Sequence, residues 1–193
     1  MAEEYSDEDF LEDDYGDLSD SDKTALLVIG YSNGIMKPRL QKLSLIYDMV
    51  YGEGNPPSDG AYFLGGYSDD LDGSAENMVE DGIASEHEMR YELTPYGRKL
   101  LRLLEENDGE RSQRMKNIVR CLKSVDDRHL IGLTYRFWPA LAKESVIAEA
   151  VARTNRNAVL NGRKLDDWSR DEFADDIRRG AELTGGDAHD REM

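Results

Sequence analysis

The fold is decided by residues 67–104, which read YSDDLDGSAENMVEDGIASEHEMRYELTPYGRKLLRLL. Ser68 is a good N-cap for a helix over residues 68–81, and the aspartates that follow it suit the positive end of a helix dipole. Gly82 is the type of residue at which a helix ends. The first part of this stretch therefore predicts a capped, acidic helix.

The second part of the stretch predicts a β-ribbon that leads directly into another helix. Residues 83–85 and 90–93 have the length and composition of two short strands around a tight connection. Thr94 then caps a helix over residues 95–106, whose first position is occupied by Pro95. The whole stretch thus predicts a helix, a two-stranded ribbon and a second helix, in that order.

The flanking sequence is predominantly helical. The spacing of apolar residues predicts further helices over 23–31, 38–51, 110–124, 127–137, 142–160 and 166–179. The predicted parts are a disordered acidic tail (1–22), a winged-helix-like domain (23–108), a helical extension packed on it (109–180) and a frayed tail (181–193). We therefore expect a mostly α protein with a small β-hairpin, an α+β arrangement with a winged-helix core.

The charge of the chain is strongly negative, at −17. It contains 41 acidic residues and 24 basic ones, and only 8 of the basic residues are lysines against 16 arginines. An acidic, lysine-poor surface stays hydrated in concentrated salt, so the composition favours a halophilic, archaeal source over a mesophilic one with an ordinary acidic surface. Binding to DNA would require a local basic patch, because DNA affinity depends on neutralising phosphates.

The acidic excess is concentrated at the N-terminus. Residues 1–22 contain eleven acidic residues and no basic one. Self-repulsion at this density predicts a disordered tail. One interpretation is a solubilising tail. The other is an acidic–aromatic segment that mimics nucleic acid or docks on a basic surface.

A basic segment over residues 110–163 contrasts with this tail. It contains eleven basic and five acidic residues, a local charge of +6. The candidate nucleic-acid or partner contacts are Arg111, Arg114, Lys116, Arg120, Lys123, Arg153 and Arg156, together with Arg90 of the ribbon and Asn77 of the acidic helix. These cations form either an ordinary solvated helix face or a docking surface for nucleic acid, an acidic partner or the chain's own tail. Docking of the tail predicts stronger DNA binding once residues 1–22 are removed.

No pattern in the sequence indicates an active site, a metal site or a cofactor site. The three histidines are far apart, and the glycine-containing stretches match neither a phosphate loop nor a dinucleotide fingerprint. The single cysteine, Cys121, lies among apolar residues, so we expect a packed thiol and a reducing cytoplasm. No apolar run is long enough to span a bilayer, and no secretory signal is recognisable.

Three short blocks resemble one group of winged-helix proteins. The blocks are Arg39-Leu40-Gln41-Lys42-Leu43 followed by Ile46-Tyr47, then Gly66-Tyr67-Ser68-Asp69-Asp70-Leu71, and finally Tyr91-Glu92-Leu93-Thr94-Pro95-Tyr96-Gly97. Over about residues 35–104 they resemble the group that includes YwgA-like proteins and the Panacea (SocA-like antitoxin) domain. The resemblance implies a regulator or an antitoxin-like partner rather than an enzyme.

The helix that would enter the DNA groove in a winged helix carries only acidic charge. Residues 68–81 include six carboxylates and no basic residue, and carboxylates repel phosphates. We therefore expect a non-enzymatic regulatory or adaptor protein that acts through protein–protein contacts. The alternative is a DNA-binding transcriptional regulator or antitoxin-like protein that uses the basic segment. The apolar residues of 127–160 also leave a homodimer open.

Overall fold

The computed structural model of the protein describes residues 7–52, 68–143, 145–155 and 157–187. The first half contains α1 (Asp7–Asp17), α2 (Asp20–Ser32), β1 (Ile35–Met36), α3 (Lys37–Tyr51), α4 (Asp69–Glu80), β2 (Ala84–His87), β3 (Arg90–Leu93) and α5 (Pro95–Asn107). The second half contains α6 (Gly109–Cys121), α7 (Asp127–Phe137), α8 (Pro139–Lys143), α9 (Ala148–Thr154), β4 (Ala158–Leu160), β5 (Arg163–Lys164), a 3-10 turn (Leu165–Asp167), α10 (Arg170–Arg178) and β6 (Gly185–Asp187). The predicted fold class, mostly α with a small antiparallel sheet, is confirmed.

The two predicted caps form and determine where α4 and α5 begin. The Ser68 hydroxyl accepts a hydrogen bond from the Leu71 N–H at 3.2 Å. The Thr94 hydroxyl accepts one from the Gly97 N–H at 3.1 Å. Gly82 follows α4 with a φ of +70°, a conformation that glycine adopts without strain. The stretch from 68 to 104 therefore folds as its sequence predicts.

The first sheet has the strand order β1-β3-β2 and is antiparallel throughout. Tyr91 of β3 pairs with Ile35 on one side and with Glu86 on the other. The chain order is α2-β1-α3-α4-β2-β3, and β3 lies at the centre of the sheet. The predicted ribbon is confirmed, and its turn is formed by Glu88 and Met89, both at positive φ.

The N-terminus differs from the predicted disordered tail. Residues 7–17 form α1, and α2 begins at Asp20. Leu11, Tyr15 and Leu18 follow a helical spacing, and they pack against the hydrophobic core. This apolar stripe explains why a segment so rich in carboxylates folds. The prediction for residues 1–6 lies outside the described residues.

The C-terminal part of the chain also corrects the predictions. The helix predicted over 142–160 is wrong, because α9 ends at Thr154 and β4 follows it. β4 pairs with β5 and also with β6, so residues 185–187 of the predicted frayed tail form a strand. Residues 188–193 lie outside the described residues. The helices predicted over 110–124 and 127–137 are confirmed as α6 and α7.

Hydrogen bonds from two arginines connect α3 with the second half of the chain. The Arg39 guanidinium donates to the carbonyl oxygens of Leu122 and Val125, each at 2.8 Å. At the other end of α3, Arg178 of α10 donates to the Val50 carbonyl at 2.6 Å. The buried side chains of both halves form one continuous core. The second half of the chain is therefore packed directly on the first half.

Candidate functional site, a basic pocket on helix α6

Three of the candidate contact residues line one concave site, which we call the basic pocket. Lys116 and Arg120 lie one turn apart on α6, and Lys123 follows in the turn after it, where its N–H still bonds to the Arg120 carbonyl at 3.3 Å. The pocket has a volume of about 440 Å³. Its other lining residues are Tyr31, Ser32, Asn33, Gly34, Arg39, Leu43 and Val119.

The walls of the pocket come from elements that are remote in sequence. Tyr31 and Ser32 end α2, which closes on Asn33 in the left-handed conformation, and Gly34 follows with a φ of +95°. An Asn-Gly pair is a sequence typical of such a turn. Leu43, from α3, is buried at the bottom of the site. A site of this size falls within the range of small-ligand and peptide pockets.

Lys116, Arg120 and Lys123 are exposed, and none of them forms an ion pair with a carboxylate among the described residues. The Lys116 ammonium lies 5.5 Å from the centroid of the Tyr31 ring, a cation–π contact. Arg120 donates to the Gly180 carbonyl at 3.2 Å, which leaves its charge uncompensated. Two carboxylates also border the pocket, because Glu105 accepts a hydrogen bond from Tyr31 and Glu92 Oε1 lies against Gly34. The positive charge is therefore concentrated on the α6 side.

Two further groups define the electrostatics at the edge of the pocket. The Tyr31 hydroxyl donates to Glu105 at 2.8 Å, and burial together with this carboxylate raises the pKa of Tyr31, so the phenol is neutral. Arg90 of β3 donates to the Gly34 carbonyl at 3.4 Å. The ribbon thus places one more cation at the rim of the pocket.

Most other arginines in the described structure are engaged with carboxylates. The pairs are Arg39 with Asp127, Arg111 with Asp20, Arg114 with Glu110, Arg128 with Asp126, Arg153 with Glu149, Arg163 with Glu172, Arg178 with Asp175, and Arg179 with Asp176. Arg111 also donates to the Thr24 hydroxyl at 2.8 Å, and the Arg114 guanidinium lies 5.3 Å from the Tyr51 ring centroid. Arg111, Arg114 and Arg153 therefore do not join the basic pocket. Arg156 lies outside the described residues.

The ion pair between Arg111 and Asp20 bears on the predicted docking of the acidic tail. Asp20 Oδ1 lies 2.7 Å from the guanidinium, and Arg111 also bonds to the Asp20 carbonyl. A hydrogen bond and the charge of Arg111 lower the pKa of Asp20. One residue of the acidic segment therefore contacts the basic segment, at a point separate from the residues that line the basic pocket.

Asn77 lies in a different and strongly acidic environment. It lines a second cavity of about 450 Å³ between α1 and α4, which we call the acidic pocket. Asp14, Asp17, Asp22 and Asp81 line the same cavity. Phosphates would be repelled here, so the structure separates Asn77 from the cations with which it was grouped.

Sequence reasoning missed Tyr31, Arg39 and Leu43 as pocket residues. The Asn33-Gly34 turn was visible, but the contact between α2, α3 and α6 joins segments some 80 residues apart, and no local pattern reports it. Among the described residues, no cluster of three acidic, histidine or cysteine side chains is arranged to hold a metal ion. Within the same ranges, the helices are too short or too polar to cross a membrane.

Comparison of the chain with protein-family models, with curated proteins and with solved structures finds no match in any of the three. A function is therefore to be inferred from the charges and shape of the described surface. Its most distinctive feature is a cationic cavity on a protein with a net charge of −17.

Proposed function

We propose that this protein is a non-enzymatic regulatory or adaptor protein with a winged-helix-like core, and that it acts by binding a partner protein. The observation that carries the proposal is the division of charge. Lys116, Arg120 and Lys123 converge on one pocket, whereas the helix that would read DNA is acidic. We assign the basic pocket as the contact for an acidic part of the partner.

Groove reading by α4 is opposed by its own charge and by that of its neighbour. Asp69, Asp70, Glu76 and Glu80 are exposed on α4, which carries no basic residue. Helix α1 adds further carboxylates beside it at the acidic pocket. DNA binding relies on releasing counterions from neutralised phosphates. Lys37, which lies against α4, is already paired with Asp72 and Glu76.

A concave basic site suits a peptide segment better than a DNA backbone. Phosphates along a duplex are spaced over a long path, and binding them takes a broad run of cations. Here the cations surround one cavity with Tyr31 and Leu43 in its walls. Charge complementarity of this kind determines partner choice and association rate more than total affinity.

The proposal is tested by capturing the partner from the native cell with the full-length protein and identifying it by mass spectrometry. The double variant Lys116→Ala/Lys123→Ala should lose the partner, because both ammonium groups of the pocket are removed. Lys99→Ala is the matched control, since Lys99 is exposed on α5 and does not line the pocket. Equal recovery of every protein by the double variant and the control would refute the proposal.

A DNA-binding, antitoxin-like regulator is the second candidate, and Arg90 favours it. Its position at the rim joins the ribbon to the basic pocket, so the wing and α6 present neighbouring cations. A gel shift at low and high salt tests this candidate, with full-length protein and with residues 1–17 removed. Retardation that disappears in the Lys116→Ala/Lys123→Ala variant would support it. The absence of retardation in all lanes would exclude it.

A further inference from the structure

A third cavity, which we call the polar pocket, lies between α2, α3, α6 and the start of α4. Its volume is about 340 Å³. Helix α3 contributes Gln41, Ser44, Leu45 and Asp48, whose spacing places them on one face of the helix. Leu45 and Leu71 of the lining are buried in the core, so the surface that a ligand can reach is predominantly polar.

The positive charge of the polar pocket is already neutralised. Arg111 donates to the carboxylate and to the carbonyl oxygen of Asp20, each at 2.7 Å, and to the Thr24 hydroxyl at 2.8 Å. The guanidinium is therefore held against α2 by three hydrogen bonds. A ligand with a negative charge would have to compete with Asp20 for it.

Asp48 differs from Asp20 because the protein gives its carboxylate no direct partner. Within the described ranges, no hydrogen bond or ion pair reaches this carboxylate. The protein packed around Asp48 raises the pKa of its carboxyl to about 6, although the charge of Arg111 acts in the opposite direction. The side chain still has exposed surface, because it borders the cavity. A ligand can therefore reach a carboxylate that is desolvated and without a partner.

Two hydroxyl groups border the same cavity. Ser44 lies one turn before Asp48 on α3, and Ser21 lies in the first turn of α2. Neither hydroxyl forms a hydrogen bond with another described residue, so each can donate to a ligand or accept from it. Gln41, in contrast, is fixed by two hydrogen bonds with the backbone of Ser68, at 2.9 and 3.1 Å.

From this arrangement we infer that the polar pocket binds a small organic ammonium ion that also carries a hydroxyl group. The ammonium group donates to the Asp48 carboxylate and to the Ser44 hydroxyl, and the hydroxyl group of the ligand pairs with Ser21. The inference goes beyond the proposed function and does not depend on it, because the polar pocket and the basic pocket share no residue.

Other classes of ligand fit the polar pocket less well. An anion meets Asp20 and Asp48, and the one cation of the lining, Arg111, is engaged. An apolar ligand finds its leucines already buried. A bare metal ion needs several oxygen ligands within about 2.5 Å, whereas a cavity of about 340 Å³ is roughly 9 Å across. A molecule of several heavy atoms suits this size better than a single ion.

The test is an NMR titration of the isotope-labelled, full-length protein with three probes. The probes are 4-amino-1-butanol, 1,4-butanediol, in which a hydroxyl replaces the ammonium group, and butylamine, which lacks the hydroxyl. We expect the amino alcohol to bind at least about tenfold more tightly than the diol, because only its ammonium group forms a charge-assisted hydrogen bond with Asp48. Butylamine should bind about threefold more weakly than the amino alcohol, because it forms no bond with Ser21.

Variants then locate the binding site. Asp48→Asn conserves the size of the side chain and should abolish the preference for the amino alcohol over the diol. Ser44→Ala should weaken binding of the amino alcohol by about threefold. Glu106→Gln is the matched control, because Glu106 is exposed on α5 and does not line the polar pocket. Amide shifts remote from the pocket check that each variant is folded.

The pH dependence gives an independent readout. The amino alcohol should bind about tenfold more weakly at pH 5 than at pH 7.5, because Asp48 takes up a proton near pH 6 while an aliphatic ammonium stays charged at both values. The other charged groups of the lining are Asp20 from α2 and Arg111 from α6. A hydrogen bond and the charge of Arg111 lower the pKa of Asp20, so neither group titrates in this range.

Four results would overturn the inference. The first two are equal affinity for the amino alcohol and the diol, and a preference that Asp48→Asn leaves unchanged. The third is the absence of binding by both amines. The fourth is displacement of the amino alcohol by KCl but not by tetramethylammonium chloride at the same concentration, which would assign the site to an inorganic cation.

Discussion

Helix α1 should dock more firmly as salt rises, because carboxylates from two sides border the acidic pocket. Asp14 and Asp17, in α1, lie across this cavity from Asp22 and Asp81. The contacts that hold α1 in place include apolar packing by Tyr15 and its neighbours, and a hydrogen bond from the Tyr96 hydroxyl to Asp14. The Lys23 ammonium also lies 5.6 Å from the Tyr15 ring centroid, a cation–π contact. Docking is therefore a balance between apolar burial and like-charge repulsion.

The size of the repulsion follows from the dimensions of the cavity. A cavity of about 450 Å³ is roughly 10 Å across, and two unit charges at that distance repel by about 0.4 kcal/mol in water. Four pairs join the two α1 aspartates to the other two, so the total is about 1.7 kcal/mol without screening. The Debye length falls from about 30 Å at 0.01 M salt to about 3 Å at 1 M, which removes nearly all of this repulsion.

Hydrogen exchange measures the effect at the amides of α1. At 0.01 M salt about 0.7 of this repulsion remains, roughly 1.2 kcal/mol, so protection of α1 should rise by about sevenfold between roughly 0.01 M and 1 M KCl. The double variant Asp17→Asn/Asp81→Asn should show most of that protection at low salt already. Glu106→Gln removes one exposed carboxylate outside the pocket and is the matched control. Protection that is independent of salt, or that decreases with salt, would refute the reasoning.

Three further predictions concern the folded core. Gly97→Ala should lower the free energy of unfolding, measured in urea, by about 2 kcal/mol or more, because the new Cβ would lie 2.0 Å from the Ile83 carbonyl oxygen. An unchanged free energy of unfolding would contradict this close packing between Gly97 and Ile83. A hydrogen bond from Arg163 lowers the pKa of Glu172 to about 2, so the stabilisation from its charged form is present above about pH 4.5 and lost as the pH falls towards 2. In an NMR titration, Arg163→Met should move the Glu172 midpoint upward, and an unchanged midpoint would exclude that contact. Burial raises the pKa of Cys121 and shields its thiol, so a maleimide should label Cys121 only in denaturant. Rapid labelling of the native protein would contradict the burial of Cys121 in the core.

The elements that were predicted correctly are those whose first and last residues are determined by nearby residues in the sequence. Ser68 and Thr94 cap α4 and α5 through hydrogen bonds to residues three positions later. The Asn33-Gly34 pair adopts the positive φ angles that mark it as a turn. These signals depend on backbone preferences of single residues, and so they survive without knowledge of the tertiary structure.

The errors occurred where distant segments decide the structure. β4 exists because it pairs with β6, about 27 residues later, and that pairing overrides the helical pattern of the sequence. Asn161-Gly162, both at positive φ, forms the turn between β4 and β5, and an Asn-Gly pair is a sequence signal for such a hairpin. Only part of the basic pocket could be predicted from the sequence. The spacing of basic residues in α6 indicates its cations, but no local pattern indicates that residues of α2 and α3 form the opposite wall.

The assignment to a protein-binding role is tested most directly by crosslinking at the basic pocket inside the native cell. A photo-crosslinking amino acid in place of Lys123 reports whatever lies against the pocket, and the same substitution at Lys99 is the control. We predict an adduct at position 123 that resists nuclease, is degraded by protease and is absent at position 99. An adduct that nuclease removes, or equal labelling at the two positions, would contradict the assignment.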